Sequence, residues 1–270
     1  MKDNDIRMNR NERIDDLGIH HMKMIQNKDY FCFGMDSVLL ANFVCSTRKT
    51  NVIVDLCSGA GVIPFILSAK KEYNKIFGVE LQDEMFSLFE RNIKLNHVKD
   101  KIIPMHEDIK QIEKIKENLR KVIHTMQVDV VVCNPPYKRK GTGIVNENQV
   151  KYIARHEVEC TLEDVFATAS ALLKNKGKFY LVHKPERIVD LLSFARTYRL
   201  EAKRIRFVQP NKETKPSIVL IEYVKDGKME CKVENALIEY TDEGIYTDEI
   251  LQIYGIKEIQ IGRNRDEKRK

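Results

Sequence analysis

The sequence predicts an α/β fold, a largely parallel sheet with helices on both faces and an antiparallel pair near its C-terminal end. From Asn51 onward, short apolar runs alternate with amphipathic stretches of helical period, the rhythm of parallel strands joined through helices. The strands are Val52–Leu56, Lys75–Glu80, Ile102–Met105, Val128–Cys133 and Gly177–His183, most of them followed by a helix. After a helix over Arg187–Tyr198 come two more β-rich runs, Ala202–Val208 and Ser217–Val224. The loop between them, Gln209 to Pro216, is too short for a helical crossover, so these two pair antiparallel and complete a seven-stranded sheet.

Residues 1–50 read as an N-terminal lead-in and capping segment, 51–225 as the main domain and 226–270 as a peripheral extension ending in the charged run Arg263 to Lys270. In the lead-in, Tyr30 to Ser37 precede an apolar helix that begins near Val38, with Asp36 or Ser37 placed to cap it. A chain of 270 residues suits one large domain with small extensions. With 43% hydrophobic and 32% charged residues it is too apolar for disorder. The first twenty residues lack the apolar core of a signal peptide, and no stretch approaches the roughly 18 apolar residues of a membrane span. A cytoplasmic protein without a membrane partner is expected. Cys32, Cys45, Cys57, Cys133, Cys160 and Cys231 show no zinc-site spacing and read as small core residues in a reducing compartment, with no metal. The formal charge of +6 permits a nucleic-acid partner without requiring one, so the position of the basic residues matters more than their sum.

The run Val52-Ile53-Val54-Asp55-Leu56-Cys57-Ser58-Gly59-Ala60-Gly61-Val62-Ile63-Pro64 carries a buried strand into a glycine turn and then a helix. Gly59 and Gly61 let backbone and a helix N-terminus come close to a ligand. A dinucleotide site would ask for a third glycine where Ile63 and Pro64 stand, and Asp55 would repel a pyrophosphate. Asp55 suits instead a ligand with an amino group and a sulfonium. Glu80, at the end of the next strand, is positioned to accept hydrogen bonds from both hydroxyls of a ribose. Asp108, after the strand beyond, can meet the exocyclic amine of a bound adenine. Singly, each acid is as well explained as a helix cap or a solvated charge; their recurrence at successive strand ends, where open α/β sheets bind ligands, favours one nucleoside site.

The run Val128 to Cys133 ends in Asn134-Pro135-Pro136-Tyr137. The two prolines remove two backbone donors and stiffen the turn, so the preceding carbonyls stay free as acceptors. The Asn134 side-chain oxygen and the Pro135 carbonyl can each take one hydrogen of a planar amine, aim its lone pair at a sulfonium methyl and stabilise the positive charge that arrives. Tyr137 can stack on the flat acceptor. In isolation this turn is no more than a proline-rich stop after a core strand. Three strand units downstream of the glycine turn, it points to methylation of an exocyclic nitrogen.

With these motifs the chain resembles the class I, Rossmann-like methyltransferases with an Asn-Pro-Pro-Tyr motif, and most of all the bacterial tRNA-Val adenine-N6 methyltransferase family. The resemblance runs from Glu12-Arg13-Ile14-Asp15-Asp16-Leu17 through Phe31-Cys32-Phe33-Gly34-Met35-Asp36-Ser37-Val38-Leu39-Leu40-Ala41 to Ala154-Arg155-His156-Glu157, and includes Val182 to Arg187 and Lys203 to Val208. It implies S-adenosylmethionine as cofactor, adenine in tRNA as acceptor and a seven-stranded methyltransferase sheet. Phe33 and Asp36 then belong to a lead-in closing over cofactor and adenine. Cys57 is a departure, since many relatives carry glycine there. The basic residues Lys138, Arg139, Lys140 and Arg155 flank the catalytic turn and can hold phosphates while the base is turned out of its stack. A second basic group, Arg196, Arg199, Lys203, Arg204, Arg206, Lys212 and Lys215, is as readily a solvated face as an RNA footprint. Other readings are a methyltransferase for a glutamine amide in a translation factor, an rRNA or DNA amino-methyltransferase, and an inactive RNA-binding or cofactor-sensing protein. The glutamine-amide relatives usually carry a longer N-terminal helical domain.

Overall fold

Strand β3 (Val52–Leu56) runs through the interior of the main sheet; its residues are buried on both faces, as an apolar strand covered on two sides must be. The computed structural model describes residues 8–19, 21–30, 33–45, 52–69, 73–137 and 160–256. On one side of β3 lie β4 (Lys75–Glu80) and then β5 (Ile102–His106), on the other β6 (Val128–Cys133) and β7 (Leu173–His183), all parallel. Beyond β7, strand β9 (Ile218–Lys225) runs antiparallel to both β7 and β8 (Leu200–Gln209). The seven expected strands are present, and the late pair is antiparallel. Two-residue strands β10 (Lys232–Val233) and β11 (Leu237–Ile238), inside the stretch expected to be peripheral, add to β8 in parallel and bring the sheet to nine.

Alternation along each strand feeds two cores. Ile53, Ile76, Val130 and Val132 face helices α1 (Met35–Phe43), α2 (Val62–Ala69) and α3 (Asp83–Leu95), while Val54, Phe77, Val131 and Phe179 face α4 (Ile112–Ile123), α5 (Leu162–Leu172) and α6 (Ile188–Thr197). Among the described residues no helix is long and apolar enough to cross a membrane.

The glycine turn is held shut by an aromatic ring. Gly61 has φ +96°, a left-handed conformation, and a Cβ built there would overlap the Phe89 ring; so would a Cβ on Gly78 of β4. Phe89 of α3 thus lodges in a notch made by two absent side chains.

The lead-in contains a hairpin that the sequence does not announce, β1 (Glu12–Asp16) with β2 (Lys23–Asn27). It docks on α3 through polar side chains. Arg91 donates two hydrogen bonds of 2.7 Å to the Glu12 carboxylate. Buried Asn92 accepts from Ile25 N at 2.7 Å and donates to the carbonyls of Ile25 and Ala60, both at 3.2 Å. One turn later, Asn96 accepts from Lys23 N at 2.9 Å and donates to Lys23 O at 2.7 Å. The two asparagines satisfy β2 backbone groups as a neighbouring strand would, and Asn92 ties the hairpin to the glycine turn.

Helix α1 corrects an expectation. It begins at Met35 rather than near Val38, its N-cap is Gly34, and neither Asp36 nor Ser37 caps it. Both sit inside the first turn, where their side chains are free for other partners.

Candidate active site

A cavity of about 260 Å³ opens at the C-terminal ends of β3, β4 and β6, where ligands bind in open α/β sheets. Its lining includes most of the expected site residues: Phe33, Asp36, Gly59, Glu80, Asp108, Asn134, Pro135, Pro136 and Tyr137. Asp55 and Gly61 do not line it. Gly61 is buried under Phe89, and Asp55 is buried completely within β3. Lys138, Arg139, Lys140 and Arg155 lie outside the described residues, as do Phe31, Cys32, His20 and His156.

Glu80 is buried, and its carboxylate is already oriented: one oxygen accepts from Gly59 N at 2.8 Å, the other from Gln82 N at 2.9 Å. Burial raises its pKa, against the pull of those two N–H groups. Each oxygen keeps acceptor capacity toward the cavity. Asp55 is different: neither carboxyl oxygen has a partner among the described residues. The adjacent Ser58 hydroxyl is spent on the Asp55 carbonyl, at 3.0 Å. Burial therefore pushes the Asp55 carboxyl well above the usual range, and the Glu80 charge adds to the rise. Asp108 is steadied by its own turn, accepting from Lys110 N at 2.9 Å.

The turn from Asn134 to Tyr137 is bound to the lead-in. Asn134 donates through Nδ2 to Ser37 Oγ at 2.8 Å. The Tyr137 hydroxyl lies 2.8 Å from Asp36 Oδ2 and 2.6 Å from Asn134 Oδ1. Burial, with the Asp36 charge next, raises the Tyr137 pKa well above its ordinary value, so this hydroxyl keeps its proton.

Ser37 and His183 were not expected here. His183, buried at the end of β7, meets the Tyr137 ring edge-on with centroids 5.1 Å apart, and its Nδ1 accepts from Lys184 N at 2.8 Å. Burial, with the Arg187 charge next, lowers its pKa to about 4, so the ring is neutral near pH 7. Lys184 Nζ stands 5.5 Å from the Tyr137 ring centre. The only sequence signal for Ser37 was its polarity at the head of an apolar helix. Nor are the cysteines all core residues: Cys133 is buried, but Cys57 and Cys160 line the cavity with sulfurs 4.0 Å apart, and Cys45 and Cys231 are exposed. Among the described residues no group of His, Cys, Asp or Glu could hold a metal ion.

The donor set fits S-adenosylmethionine. Glu80, its carboxylate already oriented by Gly59 and Gln82, and Asp108 line one cavity where a ribose and an adenine amine could be met, and Asp55 lies buried beneath it with no partner among the described residues. Replacing Glu80 by Ala is expected to weaken binding of S-adenosylhomocysteine by about 1–3 kcal/mol, the cost of a lost acceptor in a buried site. Calorimetry reads this directly, and an affinity equal to wild type would remove the ribose role.

Comparison with known proteins agrees with this geometry. A family model described as the TRM5/TYW2 methyltransferase domain matches residues 40–165. A tRNA1(Val) (adenine(37)-N6)-methyltransferase of Porphyromonas gingivalis is 25% identical over 193 residues, covering 70% of this chain and 73% of that protein. The enzyme of the same name from Flavobacterium psychrophilum is 23% identical over 231 residues, 84% of this chain and 92% of the relative. Among solved structures, a predicted O-methyltransferase from Agrobacterium tumefaciens superposes with a TM-score of 0.64 at 18% identity, covering 82% of this chain and 96% of that one; it shares the fold.

Proposed function

We infer that this chain, a class I S-adenosylmethionine-dependent methyltransferase, methylates the N6 amine of adenine in tRNA. The observation that carries the reading is Asn134, whose amide is fixed at the cavity wall between Ser37 and Tyr137 and adjoins the rigid pair Pro135 and Pro136. An amide oxygen has two acceptor positions, so Asn134 Oδ1 can receive an amine hydrogen beside its tyrosine contact. Pro136 has no N–H of its own, and the Pro135 carbonyl supplies the second acceptor. Two such bonds orient the amine and draw its lone pair out of conjugation with the ring. When bound, S-adenosylmethionine supplies an electrophilic methyl group on a sulfonium that leaves readily.

As the nitrogen gains positive charge, Asn134 Oδ1 and the Pro135 carbonyl hold its hydrogens and stabilise that charge, at no cost in reorganisation. The Tyr137 ring gives the acceptor base a stacking wall, and neutral His183 braces that ring. Glu80, Asp108 and the Gly59 backbone would hold the cofactor, buried Asp55 would lie beneath it ready to ionise toward a cationic ligand, and Phe33 and Asp36 would close one side.

The tRNA assignment is supported by the names of the relatives that span most of the chain, and a tRNA substrate puts the work in the cytosol. The sequence adds Lys138, Arg139, Lys140 and Arg155 as phosphate contacts. Incubating the protein with labelled S-adenosylmethionine and total tRNA, then analysing nucleosides by mass spectrometry, tests the proposal. N6-methyladenosine is the expected product. Label in a translation factor would move the acceptor to a glutamine amide, label in rRNA or DNA alone would move it to those polymers, and cofactor binding without turnover would make the protein a sensor.

A further inference from the structure

We propose that the first turn of α1 is a positioning device for the catalytic amide: Ser37 fixes which way the Asn134 side chain faces, and Asp36 keeps its oxygen free for the acceptor amine. The inference rests on the amino-methylation reading for its catalytic consequence, though not for its geometry.

An asparagine amide can be inserted in two orientations that differ only in exchanging oxygen and nitrogen. At a methyl-transfer site the difference decides the chemistry, because an N–H pointed at an amine donor repels it. Ser37 Oγ, buried and 2.8 Å from Asn134 Nδ2, takes the amide hydrogen and leaves Oδ1 on the other side. Tyr137 threatens that oxygen, since its hydroxyl stands 2.6 Å away and would occupy one of its two acceptor positions. Asp36 Oδ2 stands 2.8 Å from the same hydroxyl, which has a single proton. A hydrogen bond to a carboxylate is about twice as strong as one to a neutral amide oxygen, so Asp36 competes for the tyrosine proton and weakens its hold on Oδ1. Neighbouring residues of one helical turn thereby set the direction and the availability of a single carbonyl. Asp36 serves both structures, one oxygen accepting from Ser37 N at 3.0 Å in the helix's first turn and the other facing Tyr137, while the cap position is left to Gly34.

Two measurements test the device. Side-chain amide exchange of Asn134, followed by NMR on asparagine-labelled protein and identified by its loss in Asn134→Ala, needs no acceptor. Protection is expected in wild type, in Ser37→Thr and in Tyr137→Phe, and loss of it in Ser37→Ala. Protection that survives Ser37→Ala but vanishes in Tyr137→Phe would mean the amide faces the other way and would overturn the proposal. In single-turnover transfer to tRNA, Ser37→Ala is expected to lower the rate about tenfold with the KM for tRNA and the cofactor affinity unchanged, and Ser37→Thr to restore it. Asp36→Asn should slow transfer similarly, and Ser37→Ala combined with Asn134→Ala should be no slower than Asn134→Ala alone. A wild-type rate in folded Ser37→Ala, or a loss confined to KM, would sink the positioning role. If wild type methylates no tRNA adenine, the reading of function falls while the exchange experiment still decides the geometry.

Discussion

Replacing Asn134 by Ala is expected to slow single-turnover methyl transfer by about 10²-fold or more, the loss seen when one preorganised charge-stabilising contact is removed. Alanine leaves the Pro135 carbonyl in place but offers the amine one fewer acceptor, so the nitrogen can turn its lone pair back into the ring. Because this contact strengthens as charge develops, the loss belongs to the transfer step; cofactor affinity should change far less. Asn134→Asp separates geometry from charge. It keeps an oxygen of similar reach yet adds a negative charge beside the sulfonium, so cofactor binding should tighten while transfer slows. Circular dichroism establishes folding, calorimetry gives affinity, and a quenched single turnover gives the rate. A folded Asn134→Ala enzyme transferring at the wild-type rate would refute the role of this turn.

Asp55→Asn is expected to act in opposite directions on stability and on cofactor binding. In the protein without cofactor, the wild-type carboxyl is fully buried with neither oxygen partnered among the described residues, and burial raises its pKa well above the usual carboxylate range. Between the unfolded and folded pKa values the native state binds more protons than the unfolded one, so stability falls as pH rises through that window. The neutral amide is free of this loss. At pH 7, Asp55→Asn should therefore melt at a higher temperature than wild type. The advantage should shrink as pH falls through the unfolded-state value and vanish below it, where the carboxyl is protonated in both states. Affinity for S-adenosylmethionine should fall, since the charge meant for a cationic ligand is gone. Melting curves at several pH values with and without cofactor read both effects; a variant less stable than wild type at pH 7 would show that the carboxyl is satisfied within the chain.

The central strands were legible because burial on both faces leaves little choice of residue. The runs Val52–Leu56, Lys75–Glu80 and Val128–Cys133 have the bounds the apolar pattern sets. The hairpin was not, because β1 is Glu12-Arg13-Ile14-Asp15-Asp16, mostly charged, and β2 is secured by Asn92 and Asn96, more than sixty residues away in sequence. Local propensity carries no trace of such long-range polar pairing. In the site, each acid at a strand end was visible, whereas the depth of its side chain was not. Glu80 closes β4 and reaches the cavity, whereas Asp55 is one residue short of the end of β3, paired with Gly78, and stays beneath it. For Asp36 and Ser37 the capping rule named the right residues for the wrong task, because tertiary partners at β6 outbid the local ones.

The ring of Phe89 in its double-glycine notch constrains how this chain can evolve. A methyl group at Gly61 strikes one edge of the ring and a methyl group at Gly78 strikes the opposite edge, so neither position accepts alanine without displacing the phenyl. The three sites are epistatic: residue 89 must shrink before either glycine can grow. Even then Gly61 keeps its left-handed φ and a close Phe65 ring, and Gly78 keeps the Ser58 hydroxyl beside it, so a smaller residue 89 relieves only part of the constraint. Among descendants of such a sequence, changes at 61, 78 and 89 should arrive as a linked set, and a lone substitution at any one of them should mark a chain whose glycine turn has lost its shape.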